Sequence, residues 1–308
     1  MPTDLLPHNA PSLGGDGAHG LIPVCDEMGN EFLELRSRTA TARVALHGAQ
    51  VMSFIAGWGE VLWTGPYQIT PDKDCWGGIP LCWPWFMTGT GDKPIVPFHG
   101  PARFSNWSLV GSDDIEGGGV RAVLELKGPV RAGDGVEFSL DARLTLTLAE
   151  SLRIELTTRN TGSRRILLEH CFHSYFRVGD VTRTVLKGLE GTERIDNLSP
   201  QPVPVPMTHP LTTNGPASQN FRPFPARLRI EDPVLGRCIT LSSQAASHLV
   251  LWNSGPVREQ DGRTTGEHEW RTQLALEPLR GLDKAVNLGP GQTASLDMEI
   301  SVSELGEH

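Results

Sequence analysis

The feature that most constrains this chain is a two-residue hydrophobic rhythm that recurs along its length without a competing helical period. It is clearest in residues 136–162, VEFSLDARLTLTLAESLRIELTTRNTG. Leu144, Leu146 and Leu148 alternate with polar neighbours, a short break follows, and Leu152, Ile154 and Leu156 resume the alternation. Successive side chains on a strand point to opposite faces, so this pattern buries one face, wets the other and reads as a hairpin. Residues 32–56 behave the same way and break at Gly48. Further strands are expected at 120–127, 227–231, 237–242, 247–252 and 293–303, with no amphipathic helix of ordinary length. The 34 Gly and 24 Pro supply the turns that many short strands need, the Gly-rich run at 117–119 among them. Residues 198–225, dense in Pro, Ser, Thr and Asn, read as a long surface loop, and residues 1–20 as a flexible leader. Residues 21–308 are expected to form one all-β domain, an antiparallel multi-stranded β-sandwich.

Composition narrows function by exclusion. Lys and Arg number 27 against 36 Asp and Glu, a formal charge of −9, which argues against a nucleic-acid partner. No stretch approaches the ~20 apolar residues of a membrane span. The start of the chain lacks the basic and apolar segments of a secretory signal. The five cysteines are odd in number and scattered, with no CxxC spacing, as expected of reduced thiols in a cytoplasmic protein.

Two segments carry the chemistry. In 165–178, RILLEHCFHSYFRV, a period of two places Ile166, Leu168, Phe172, Phe176 and Val178 on an apolar face. Glu169, Cys171, His173, Tyr175 and Arg177 fall on the other, which is polar, titratable and aromatic. His170 lands among the apolar positions and reads as a packed, hydrogen-bonded core histidine. A metal site built from His170, Cys171 and His173 is disfavoured because alternation separates His170 from His173, and no HExxH motif accompanies His268. In the late segment WRTQLALEPL, Arg271, Gln273 and Glu277 share a polar face opposite Leu274 and Leu276. A histidine and a glutamate on polar strips supply an acid and a base for proton transfer.

Six blocks in order, CWGGIPLCWPWF (75–86), HGPARFSNWSLVG (99–111), LEHCFHSYFRVGDV (168–181), VLKGLEGTERIDN (185–197), LVLWNSG (249–255) and LALEPL (274–279), resemble the hexose-6-phosphate mutarotase branch of the aldose 1-epimerase family. The resemblance spans roughly residues 25–303. It implies a large β-supersandwich with a sugar-binding cleft, interconversion of sugar anomers and no cofactor. It also implies His173 and Glu277 as catalytic residues, Arg103 as a substrate or phosphate contact, His99 beside the sugar and Asp196 on its hydroxyls. Two positions depart from the family pattern. Trp76 stands where members usually carry an Arg before GGIP, and Phe98 where they often carry a Gln. Losing an arginine removes a bidentate partner for phosphate, whereas flat rings suit the C–H face of a sugar. Trp76 is therefore a candidate substrate contact, and Lys73 is close enough in sequence to reach the same rim.

Anomers interconvert by ring opening and reclosure, which needs a base for the anomeric hydroxyl and an acid for the ring oxygen. Glu277 is read as the base and His173 as the acid, with roles exchanged on closure. A carboxylate beside His173, with Glu169 as the candidate, would favour its charged form. The leading reading is a glucose-6-phosphate 1-epimerase acting on a small-molecule sugar phosphate, as a monomer or weak homo-oligomer. A mutarotase of an unphosphorylated aldose and a noncatalytic carbohydrate-binding protein are the alternatives.

Overall fold

The alternation at 140–160 closes into the longest hairpin of the molecule. Leu140–Leu148 pairs antiparallel with Leu152–Asn160, bringing Leu144 opposite Leu156 and Leu146 opposite Ile154. All four of those side chains are fully buried, while the intervening Arg and Thr positions are not. In this computed structural model the described residues are 19–65, 76–89, 95–133, 135–256, 258–260, 263–265 and 269–306. The hairpin forms the middle of an eight-stranded sheet that continues on one side through Gly119–Leu126 to Ser108–Ile115. On the other side it runs through Thr293–Glu304, Arg237–Ser242 and Leu228–Asp232 to Val185–Lys187.

A second eight-stranded sheet carries the site. Its path runs Val205–Pro206, Glu193–Asp196, Ala217–Arg222, His248–Asn253, Gln273–Arg280, His170–Phe172 and Leu81–Cys82, with Tyr175–Arg177 also paired to Gln273–Arg280. A five-stranded meander over residues 20–60 completes the main framework. Every strand pairing among the described residues is antiparallel, and the helical content there is limited to Glu269–Thr272 and two 3-10 turns. The fold is the all-β antiparallel architecture expected from the alternation, in the supersandwich form that the resemblance implies. No helix among the described residues is long and apolar enough to cross a membrane.

One continuous apolar core joins all three sheets. Leu35 and Phe54 of the meander, Leu144 and Leu156 of the first sheet, and Phe172, Leu251 and Leu276 of the second belong to it, each fully buried. Burying one such side chain contributes about 1.5–3 kcal/mol. The apolar half of the 165–178 alternation feeds this core through Leu168, Phe172, Phe176 and Val178.

Two expectations need correction. The 198–225 stretch is not simply a loop, because Ala217–Arg222 is an interior strand of the second sheet and Val205–Pro206 is its edge. Nor is 165–178 one strand. It divides into Ile166–Leu168, His170–Phe172 and Tyr175–Arg177, of which the first pairs away from the others with Val286–Leu288. Residues 1–18 of the expected leader and Lys73 lie outside the described residues.

Candidate active site

Register alone assembles the chemistry. Cys171 pairs with Leu279, and Tyr175 pairs with Ala275. Two steps inward from either pair, His173 falls opposite Glu277. On the far side of that strand Glu277 pairs with Val250, and Val250 pairs with Asn220. His173, in the break between His170–Phe172 and Tyr175–Arg177, therefore forms a transverse row with Glu277, Val250 and Asn220 on three successive strands, and all four line one cleft of about 440 Å³. A parallel row of Tyr175, Ala275, Trp252 and Ser218 lies two residues along, and three of its members line the same cleft. Positions of like parity share a face of a sheet, so the chain needs no long-range device beyond strand order to bring residues 173 and 277 together.

His173 Nε2 stands 3.3 Å from Glu277 Oε1. The imidazole stacks on Tyr175, with ring centroids 4.7 Å apart and planes inclined by 18°, and meets the edge of His99 at 5.4 Å. Its backbone N–H donates to the Pro80 carbonyl, which ties the histidine to the GGIP turn. Both members of the pair are nearly buried. Burial lowers the His173 pKa to about 3, helped by the Arg103 charge and opposed by the residue's own carbonyl. Burial also raises Glu277 to about 8, opposed by a hydrogen bond from Cys171 and by Arg103. Near neutrality the pair thus holds one titratable proton, on the carboxyl, with the imidazole neutral.

The sequence reading expected a charged His173 supported by a neighbouring carboxylate. Glu169 does not provide it, since its carboxylate accepts the backbone N–H groups of Leu282 at 2.8 Å and Phe86 at 3.3 Å and pins two loops. The carboxyl beside His173 is Glu277 itself.

The cleft wall comes from residues 76–103. His99 adopts φ 65°, and Gly100 follows at φ 77°. A Cβ on Gly100 would sit 2.1 Å from the Trp83 carbonyl oxygen, so the tight turn after His99 needs glycine. His99 Nδ1 accepts the Met87 N–H at 3.0 Å, which leaves the proton of the neutral ring on Nε2. Burial, with the Arg103 and His173 charges, holds His99 well below its ordinary pKa, so the ring is neutral. Arg103, in the 3-10 turn Ala102–Phe104, is buried to 8% exposure in the cleft wall, and its charge reaches His99, His173 and Glu277. Trp76 lines the cleft and packs edge-on against Trp252 at 6.2 Å, while Phe98 covers His99 at 4.1 Å and remains 44% exposed.

Of the residues expected at the site, His173, Glu277, Arg103, His99 and Trp76 line the cleft, and Asp196 does not. The Asp196 carboxylate accepts the Leu198 N–H at 3.0 Å and caps the turn after its strand, and its neighbour Asn197 reaches the cleft instead. His170 is buried on the core side as expected, but its ring nitrogens make no hydrogen bond of ordinary geometry among the described residues. Burial lowers its pKa to about 3, with Arg280 acting the same way. Ser218 and Asn220 were missed because polarity in a Pro- and Thr-rich stretch reads as loop. Their alternation in ASQNFR is the signal that could have found them. Among the described residues no group of three His, Cys, Asp or Glu is placed to hold a metal.

Three comparisons bear on this arrangement. The sequence model described as Aldose 1-epimerase matches residues 31–301. A Salmonella typhimurium (strain LT2) protein named "Putative glucose-6-phosphate 1-epimerase" is 31% identical over 255 residues, covering 77% of this chain and 79% of that protein. A Cenchrus ciliaris protein of the same name is 26% identical over 275 residues, covering 86% and 82%. Among solved structures, a Salmonella typhimurium protein titled "putative mutarotase" superposes with a TM-score of 0.81 at 22% identity over 92% of this chain and 94% of that one, a likeness of fold.

Proposed function

The chain belongs to the aldose 1-epimerase family, and from that premise we propose that it interconverts the α and β anomers of a hexose 6-phosphate by acid–base ring opening at His173 and Glu277. The observation that carries the reading is the 3.3 Å contact between an imidazole and a carboxyl at the floor of an aromatic-walled cleft. As a family member the protein is an isomerase.

Anomerisation consumes no net proton, which suits a pair that holds one. That proton rests on Glu277. The reactive arrangement, carboxylate and imidazolium, is the other tautomer of the same protonation state. A pH profile reports the total protons on a coupled pair, not their placement, so the profile is the same for both arrangements. A bound sugar lies across the two groups with both oxygens of its anomeric carbon turned toward them. Its anomeric hydroxyl donates to Glu277, its ring oxygen accepts from His173, and each contact favours the charged form of its partner. After rotation about C1–C2 the transfers run in reverse and the ring recloses on the opposite face. Neutral His99 is positioned to donate to a sugar oxygen, and Asn220, Ser218 and Asn197 offer amide and hydroxyl partners from the sheet.

Arg103 supports the phosphorylated substrate as the arginine in the cleft lining among the described residues. Guanidinium makes paired, charge-assisted hydrogen bonds to phosphate oxygens. The unphosphorylated aldose remains a second reading because Trp76 and Phe98 present apolar rings at the same wall. The test is Arg103→Ala against wild type on glucose 6-phosphate and free glucose. Because the Arg103 charge also reaches the catalytic pair, both rates should fall. The rate on the phosphorylated sugar should fall at least about tenfold further, the scale of a lost hydrogen bond to a charged group. Equal losses would place Arg103 on the sugar ring and make the free aldose the preferred substrate.

A further inference from the structure

Behind the catalytic carboxyl lies a thiol with no part in the proton transfers described above. Cys171 is fully buried, opposite Leu279 on one neighbouring strand and Cys82 on the other. These residues form a small apolar cluster with Phe86 and Val250, apart from the main core. Cys171 Sγ stands 3.6 Å from Glu277 Oε2, within hydrogen-bonding range for sulfur, while the other oxygen, Oε1, meets His173. The two carboxyl oxygens thus have different partners. Among the described residues the thiol is the one hydrogen-bond partner of Oε2.

We propose that Cys171 is a positioning residue for Glu277: its S–H donates to Oε2, fixes the carboxyl so that Oε1 faces His173 and the sugar, and stabilises the ionised carboxylate that acts as base. This rests on the reading of Glu277 as the base. Two physical points support it. An ionised carboxylate has acceptors only, so a buried Oε2 without a donor would carry the desolvation cost of an unpaired buried oxygen. A thiol is a weak donor, but burial raises the Cys171 pKa well above its ordinary value, so it keeps its proton throughout the working range. Replacing a buried cysteine that acted only as a small apolar filler by alanine or valine would change packing but leave the Glu277 titration unmoved.

The decisive experiment follows the Glu277 carboxyl carbon by ¹³C NMR through a pH titration, assigned by its loss in Glu277→Gln. Wild type is compared with Cys171→Ala, Cys171→Val and Cys171→Ser. Removing the donor should raise the Glu277 pKa by about half a unit or more in the alanine and valine variants, the scale of one net hydrogen bond. Serine keeps a donor and should leave the value at or below that of wild type. The alkaline limb of anomer exchange should move upward with the NMR value in the alanine and valine variants. A Glu277 titration within about 0.2 unit of wild type in those two variants, or an equal shift in the serine variant, overturns the proposal. The NMR titration needs no substrate. Absence of anomer exchange on every sugar would therefore count against the proposed reaction, while the titration would still decide the role of Cys171.

Discussion

His173 and Glu277 are held in the forms that cost least to bury, and each makes stability depend on pH in its own direction. Glu277 is raised from an ordinary value of 4.5 to about 8. Between those values the unfolded chain releases a proton that the folded chain keeps, so stability falls as pH rises through that window. His173 is lowered from 6.5 to about 3. The unfolded histidine there binds a proton that the folded one refuses, so stability falls as pH drops through that range. Glu277→Gln removes the first effect alone. Its melting temperature, relative to wild type, should be higher near pH 8.5 than near pH 5 by ~2 °C or more. The same relative value at both pH values in calorimetry would mean Glu277 ionises freely in the folded protein. The sequence placed both residues, because parity on a strand is readable. It could not give their protonation. That follows from burial under the Tyr175 and His99 rings and from the reach of Arg103, which only the folded packing brings together.

At the scale of elements, the site is a property of strand order. Gln273–Arg280 sits between His248–Asn253 and His170–Phe172, with Tyr175–Arg177 on the same flank, so Glu277 and Ala275 each belong to a row that crosses the cleft. The alternation in 165–178 and 273–280 was legible because Leu168, Phe172 and Phe176 mark one face of the first and Leu274 and Leu276 one face of the second. That in 217–222 was hidden, because two of its three outward-parity residues, Ser218 and Asn220, face a cleft rather than a core. A functional strand imitates a loop when its outward residues are chosen for hydrogen bonding. The turn that supplies His99 makes a sharper demand. Gly100→Ala must place a methyl against the Trp83 carbonyl at a φ of 77°. It should lower unfolding free energy by on the order of 1–3 kcal/mol, read as a reduced urea midpoint with unchanged slope. A midpoint equal to that of wild type would show that the turn relaxes without strain.

Over the whole molecule, two large antiparallel sheets and a meander share one core, and the cleft lies on one of the sheets with its wall supplied by residues 76–103. The first sheet supplies rigidity, since its inward leucines pack against the apolar sides of the same strands that present His173 and Glu277 to the cleft. Rigid placement matters because proton transfer is steeply dependent on distance. If this pair, sharing one proton, carries anomer exchange, both of its members must be needed for the reaction. Two-dimensional exchange NMR of glucose 6-phosphate and of free glucose tests this directly, with wild type beside His173→Ala and Glu277→Gln. Wild type should accelerate α–β exchange on at least one of the two sugars, and each variant should lose about a hundredfold or more of that acceleration. A folded His173→Ala or Glu277→Gln variant that exchanges anomers at the wild-type rate would contradict the role of the pair.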